Sequence, residues 1–297
     1  MRTEKEMLDL IINTAKEDER IRAVIMNGSR VNPNVKKDCF QDYDIIYVVK
    51  EVQPFTSNHN WIHRFGEIMI VQMPEEMSLL PAEEDGKFPY LMQFMDGNRI
   101  DLTLVPVDLI TKFVGQDSLS KLLLDKDNCI EKLPPASDKD YLIKKPTEKE
   151  FLDCCNEFWW CSTNVGKGLW REELSYAKGM IEGPVRDMLI VMLEWHIGMK
   201  TDFTVNTGKF GKHFERYVDK GMWEQFKKIF SNAEYESIWE SFFVMGDLFR
   251  EVANEIANTY GYQYPQDDDD KVTSYLKHVK TLPKDSTSIY PALTNGQ

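Results

Sequence analysis

The chain has 297 residues, 42% hydrophobic and 29% charged, a globular balance with room for two domains that excludes a disordered or fibrous protein. Its 36 basic and 49 acidic residues leave a net charge of −13, the wrong sign for a nucleic-acid binder. An acidic surface concentrates cationic small molecules, although solubility alone accounts for such a balance. Five cysteines, Cys39, Cys129, Cys154, Cys155 and Cys161, include no C-x-x-C pair. An odd number in a chain of this length reads as reduced thiols in a cytoplasmic protein. No run is long enough to span a membrane.

The opening MRTEKEMLDLIINTAKEDER carries apolar residues at Met7, Leu8, Ile11, Ile12 and Ala15 with charges between them. That period predicts an amphipathic helix over residues 4–20 rather than a secretory signal. Residues 22–28 and 43–49 are rich in Val, Ile and Tyr and bounded by turn residues, so both read as strands. A third strand is expected at Ile68–Met73, followed by a loop over residues 75–89. Asp96-Gly97, set between two β-prone runs, predicts a hairpin of Tyr90–Met95 with Asn98–Val105. In its second arm Ile100, Leu102 and Leu104 share one face, and Arg99, Asp101 and Thr103 share the other. Residues 107–124 read as a helix.

The charged, proline-containing stretch 125–148 lacks periodicity and is the expected boundary. Two domains follow from it, 1–135 and 136–297. Residues 148–262 read as almost entirely helical, with Pro184 in the first turn of one helix and another helix over 234–260. Trp159, Trp160 and Trp170, and the stripe of Met188, Leu189, Val191, Met192 and Trp195, read as core. The acidic run Asp267–Asp270 reads as solvated surface, and His196 and His213 as ordinary histidines.

Chemistry concentrates between Arg22 and Val49. The first strand ends in Gly28-Ser29, a turn whose backbone N–H groups and hydroxyl suit a phosphate, with Arg30 next to it. The second strand opens with Asp42-Tyr43-Asp44, which places two carboxylates at i and i+2 on one strand face. Carboxylates held side by side repel, and a hard divalent cation such as Mg²⁺ removes the repulsion. Asp101, on the polar face of a later strand, makes a third acid, either a further metal ligand or a general base. Nucleotidyl transfer asks for this set: metal-bound carboxylates against a triphosphate, and a group to take the proton of the attacking hydroxyl.

The pattern GSR…DYD with a distant IDLT strand resembles the polymerase-β-type nucleotidyltransferase superfamily. More narrowly, NGSRVNPN, QDYDIIYVV, NRIDLTLVP and VRDMLIVMLEWHIG resemble the aminoglycoside 6-adenylyltransferases, enzymes that inactivate streptomycin, over nearly the whole chain. The resemblance implies an α+β protein, with a polymerase-β-like domain of mixed sheet followed by an all-helical domain. It implies transfer of AMP from ATP to a streptomycin hydroxyl with release of pyrophosphate. Asp42 and Asp44 would be Mg²⁺ ligands, Asp101 the third carboxylate, and Gly28 and Ser29 would hold the triphosphate. Related adenylyltransferases also place a lysine of the helical domain on the triphosphate, and Lys209 or Lys212, with Lys178 as fallback, resembles it.

Streptomycin carries two guanidinium groups, so its site is expected to offer acids and aromatic walls. Glu182 and Asp187 are the acids chosen for it. The expected protein is a monomer whose partners are ATP and the aminoglycoside, with no nucleic acid and no membrane. The same chemistry also admits a protein, an RNA or another antibiotic as acceptor. From a different class, a non-catalytic, antitoxin-like nucleotide-binding module fits the turn but has no use for three repelling acids.

Overall fold

The computed structural model describes residues 1–79, 82–128 and 130–290. They fall into two compact units, Met1–Asp140 and a second that begins at Tyr141. The first unit opens with helix α1 (Glu4–Glu17), whose start is fixed by a capping box: the Glu6 N–H donates to the Thr3 hydroxyl, and the Thr3 N–H donates to the Glu6 carboxylate. Strands β1 (Ile21–Asn27) and β2 (Tyr43–Val49) follow, then the short helix α2 (Gln53–Thr56). Strands β3 (Ile68–Gln72), β4 (Phe88–Phe94) and β5 (Arg99–Pro106) come next, then a short helix α3 (Ile110–Phe113) and strand β6 (Ser120–Asp125).

The sheet runs β3-β4-β5-β2-β1-β6. Strands β2 and β5 are parallel and the other neighbours antiparallel, so the sheet is mixed. Alternation splits its apolar residues between two cores. On one face Met7, Ile11 and Ala15 of α1 pack on Val24, Met26, Ile45, Tyr47 and Leu104. The Tyr47 hydroxyl donates to the Ile11 carbonyl at 2.6 Å, which ties that helix to the central strand. On the other face Ile25, Ile46, Val48 and Val105 pack against Ile110, Phe113 and Leu133. Asp44 and Asp101 lie on this second face, in step with Ile46 and Val48 on β2 and with Val105 on β5.

The helix expected over 107–124 is corrected. Only Val107–Leu109, as one 3₁₀ turn, and α3 are helical there, and Gly115 breaks the chain with a φ of +78°. The leucines at 122–124 then run extended, because β1 has an unpaired edge that β6 fills antiparallel to it. Tertiary pairing overrides the local helical preference of leucine.

The second unit is helical: α4 (Glu148–Trp170), α5 (Leu174–Met180), α6 (Arg186–Lys200), α7 (Lys220–Lys228), α8 (Tyr235–Tyr260) and α9 (Gln266–Thr281). A second capping box, Thr147 with Glu150, starts α4. Phe158 and Phe249 stack face to face at 3.8 Å in the core, against Trp159. Leu189 and Met192 are fully buried, and Met188, Val191 and Trp195 pack around them, so the stripe is core. Trp160, by contrast, is exposed. Pro184 does not open α6. It sits in a wide turn, Ile181–Val185, where Gly183 leaves helical geometry and the missing proline N–H interrupts the hydrogen-bond ladder.

The acidic run of the tail also needs correction. Asp267, Asp268 and Asp270 are exposed, but Asp269 is fully buried. Arg250 grips it with Nε at 2.5 Å and Nη2 at 2.6 Å, and the hydroxyls of Thr273 and Tyr264 donate to it as well. Cys39 is an exposed free thiol and Cys154, Cys155 and Cys161 are buried free thiols, while Cys129 lies outside the described residues. Among the described residues no helix is long and apolar enough to cross a membrane.

Removing one partner of a buried ion pair leaves an uncompensated charge, which costs about 3 kcal/mol or more. Arg250→Leu should therefore lower the urea midpoint of the helical unit, followed by far-UV circular dichroism. An unchanged midpoint would show that Asp269 does not depend on this arginine.

Candidate active site

Parallel pairing of β2 with β5 sets Asp44 directly opposite Asp101. Residues opposite each other on paired strands share a face, so the two carboxylates come together from positions far apart in sequence. Asp42, one residue before β2, completes a group in which one oxygen from each acid lies within 4.8 Å of the others. All three are half-buried. Two like charges at that distance, at an effective dielectric of about 20, repel by about 3 kcal/mol, a cost that a cation between them would remove.

The turn after β1 makes room for it. Gly28 has a φ of +76°, and a Cβ built there would lie 2.0 Å from Asp44 Oδ2. Glycine is therefore required on both counts: the left-handed backbone, and the carboxylate that occupies the side-chain position. The Gly28 N–H donates to the Leu119 carbonyl at 3.0 Å and so anchors the turn to the start of β6. Gly28 thus contributes shape and not a free donor, and Ser29 follows it in a 3₁₀ turn, Gly28–Val31. Arg30 belongs to the scaffold. Its Nε and Nη2 donate to the carbonyls of Asp42 (2.8 Å) and Gln41 (2.6 Å), its guanidinium lies 3.7 Å from the Tyr43 ring centroid, and its side chain is buried. It holds the backbone that presents Asp42.

Burial, then the charges of Asp42 and Asp101, push the Asp44 carboxyl up to about 7, and Arg99 only partly opposes them. Arg99 is the residue that motif reading left out. Its Nε and Nη2 form a fork on Asp101 at 2.7 and 2.6 Å, and Nε lies 3.9 Å from Asp42. The signal was present, since Arg99 and Asp101 stand at i and i+2 on one strand face. The cluster fits a hard divalent cation: three carboxylates, convergent oxygens, and a half-exposed arginine as their nearest positive charge.

The other candidates lie in the helical unit. Lys209 and Lys212 are exposed at either end of the turn Lys209–Gly211. Lys178 pairs with Glu182 at 3.0 Å, and Arg186 Nε donates to the same carboxylate at 2.7 Å. A ligand guanidinium at Glu182 would have to displace two cations. Asp187 is exposed in the first turn of α6. Glu194 accepts from the Thr207 hydroxyl at 2.9 Å, and burial pushes its carboxyl up. His196 pairs with Glu255 in a structural contact.

A mixed sheet that gathers three acids beside a glycine turn is the framework of a nucleotidyltransferase. The family model described as streptomycin adenylyltransferase matches residues 1–279, and the chain belongs to that family. It is 46% identical over 280 residues to an aminoglycoside 6-adenylyltransferase of Campylobacter jejuni, covering 94% of this chain and 96% of that one. To the Bacillus subtilis (strain 168) protein of the same name it is 41% identical over 280 residues, covering 94% and 98%. A crystal structure of an aminoglycoside 6-adenyltransferase from Bacillus subtilis matches 95% of this chain and 100% of its own, at 37% identity and a TM-score of 0.47.

Gly28→Ala places a methyl group in the Asp44 carboxylate. It should cut activity at least about 100-fold, the scale of loss when a catalytic group is misplaced by about 1 Å, while circular dichroism stays native. Retained activity would mean that Asp44 tolerates displacement. Asp44 also predicts a pH effect in the metal-free protein. Its carboxyl is raised in the fold, so ionising it costs stability once pH climbs from the unfolded value near 4 through about 7. Asp44→Asn removes that cost. With EDTA present the variant should match the parent in Tm near pH 4.5 and exceed it by several degrees at pH 8. A difference that does not grow with pH would place Asp44 in a more polar setting.

Proposed function

We propose that this chain is a cytoplasmic, monomeric enzyme that transfers AMP from ATP to a hydroxyl of streptomycin, releases pyrophosphate, and so confers resistance. The family match and relatives named aminoglycoside 6-adenylyltransferase support the reaction class and the acceptor class. The observation that carries the chemistry is the cluster of Asp42, Asp44 and Asp101 with Asp44 lying where a Gly28 side chain would be.

In this reading Asp42 and Asp44 hold the divalent ion, with Asp101 beside them. Mg²⁺ bound there would neutralise the triphosphate and stabilise the charge that gathers on the leaving pyrophosphate. Ser29 offers its hydroxyl and amide to the β- and γ-phosphates, at a turn that glycine keeps open. Asp101 accepts the proton of the acceptor hydroxyl as its oxygen attacks the α-phosphorus in line. Lys209 and Lys212, both exposed, are the candidates for the lysine that related adenylyltransferases place on the triphosphate. Asp187, exposed, takes an acceptor guanidinium more readily than Glu182, which must first give up Lys178 and Arg186. An acidic chain of net charge −13 favours the approach of such a cation.

The test is pyrophosphate release from ATP and Mg²⁺. It should depend on streptomycin, and Asp42→Asn should reduce it to background with the fold intact by circular dichroism. Release driven only by a different acceptor would reassign the substrate. Undiminished turnover by Asp42→Asn would remove the carboxylates from the chemistry.

A further inference from the structure

Arg99 stands inside the carboxylate cluster and yet no step above uses it. Its fork on Asp101, at 2.7 and 2.6 Å, engages both oxygens of that acid, and it reaches to 3.9 Å from Asp42. Its side chain is 46% exposed, so the residue is not a packing element of the sheet. A guanidinium and a divalent cation ask for the same thing, a set of convergent carboxylate oxygens. We propose that Arg99 is the internal counter-ion of this site, which neutralises the acids while no metal is bound and is displaced from Asp101 when a divalent cation enters. The inference rests on the metal role given to these acids above.

The geometry distinguishes this from a role in orienting Asp101. An arginine that serves to orient a ligand is itself held by neighbours on its far side. Among the described residues, every hydrogen bond and ion pair of the Arg99 side chain goes to Asp101 or Asp42. Arg99 is the first residue of β5, close to the hairpin turn at Asp96-Gly97, so its half-exposed side chain has solvent beside it into which it can swing.

The experiment is Mn²⁺ binding without nucleotide, followed by electron paramagnetic resonance of the free ion, for the parent protein, Arg99→Gln and Arg99→Lys. If Arg99 competes with the metal, Arg99→Gln binds Mn²⁺ about five-fold tighter, as expected for removing one partly exposed charge about 4 Å away. Arg99→Lys, which keeps the charge and loses the fork, falls between. Thermal melts give a second readout: in EDTA Arg99→Gln melts below the parent, and saturating Mn²⁺ closes the gap. Equal or weaker Mn²⁺ binding by a folded Arg99→Gln overturns the proposal and makes Arg99 an orienting group. Failure of the parent itself to bind Mn²⁺ overturns it too, together with the metal role of the acids, so the two failures are told apart.

Discussion

The mutual repulsion of three carboxylates, each with an oxygen within 4.8 Å of the others, is the constraint that the rest of the first unit is built to hold. Left alone, each pair costs about 3 kcal/mol, a large share of the total stability of a domain. Three devices hold them. The parallel register of β2 on β5 fixes Asp44 against Asp101 through backbone hydrogen bonds, which do not yield to side-chain repulsion. Arg30 holds the carbonyls of Gln41 and Asp42 from below, and Gly28 vacates the volume that Asp44 fills. Behind them, apolar cores on both faces of the sheet supply the stability that the cluster draws down.

The chain contains its own control for this view. Asp269 is more deeply buried than Asp44, but a forked arginine and two hydroxyls satisfy it from three sides. A buried acid with a full set of partners is part of the architecture. Asp44 has burial and two like charges as its strongest influences, and its carboxyl rises to about 7. Strain of that kind persists where a ligand relieves it, which is why perturbed acids gather at reactive sites. The contrast between the two aspartates separates structure from function more clearly than either burial or charge alone.

Much of this was legible in residue order. The strand runs around Gly28 and Asp44, the Asp-Gly hairpin, and the helical second half all follow from periodicity and turn chemistry. Alternation placed Asp101 on a polar strand face without any knowledge of its neighbour. What could not be read was long-range pairing. The leucines at 122–124 are extended because β1 offers them an edge, and Asp269 is buried because Arg250, nineteen residues earlier, reaches back to it. The same limit hid the scaffold role of Arg30 and the closure of Glu182 by Lys178 and Arg186, since partner choice depends on packing and not on spacing.

On the reading proposed here, Asp42, Asp44 and Asp101 hold a divalent cation against the triphosphate of a bound nucleotide. The most direct measurement is an anomalous difference map from crystals grown with Mn²⁺ and a non-hydrolysable ATP analogue. A Mn²⁺ peak is expected within coordination distance of Asp42 and Asp44, with the phosphates over the Gly28-Ser29 turn. A well-ordered nucleotide whose metal lies away from these carboxylates would contradict it.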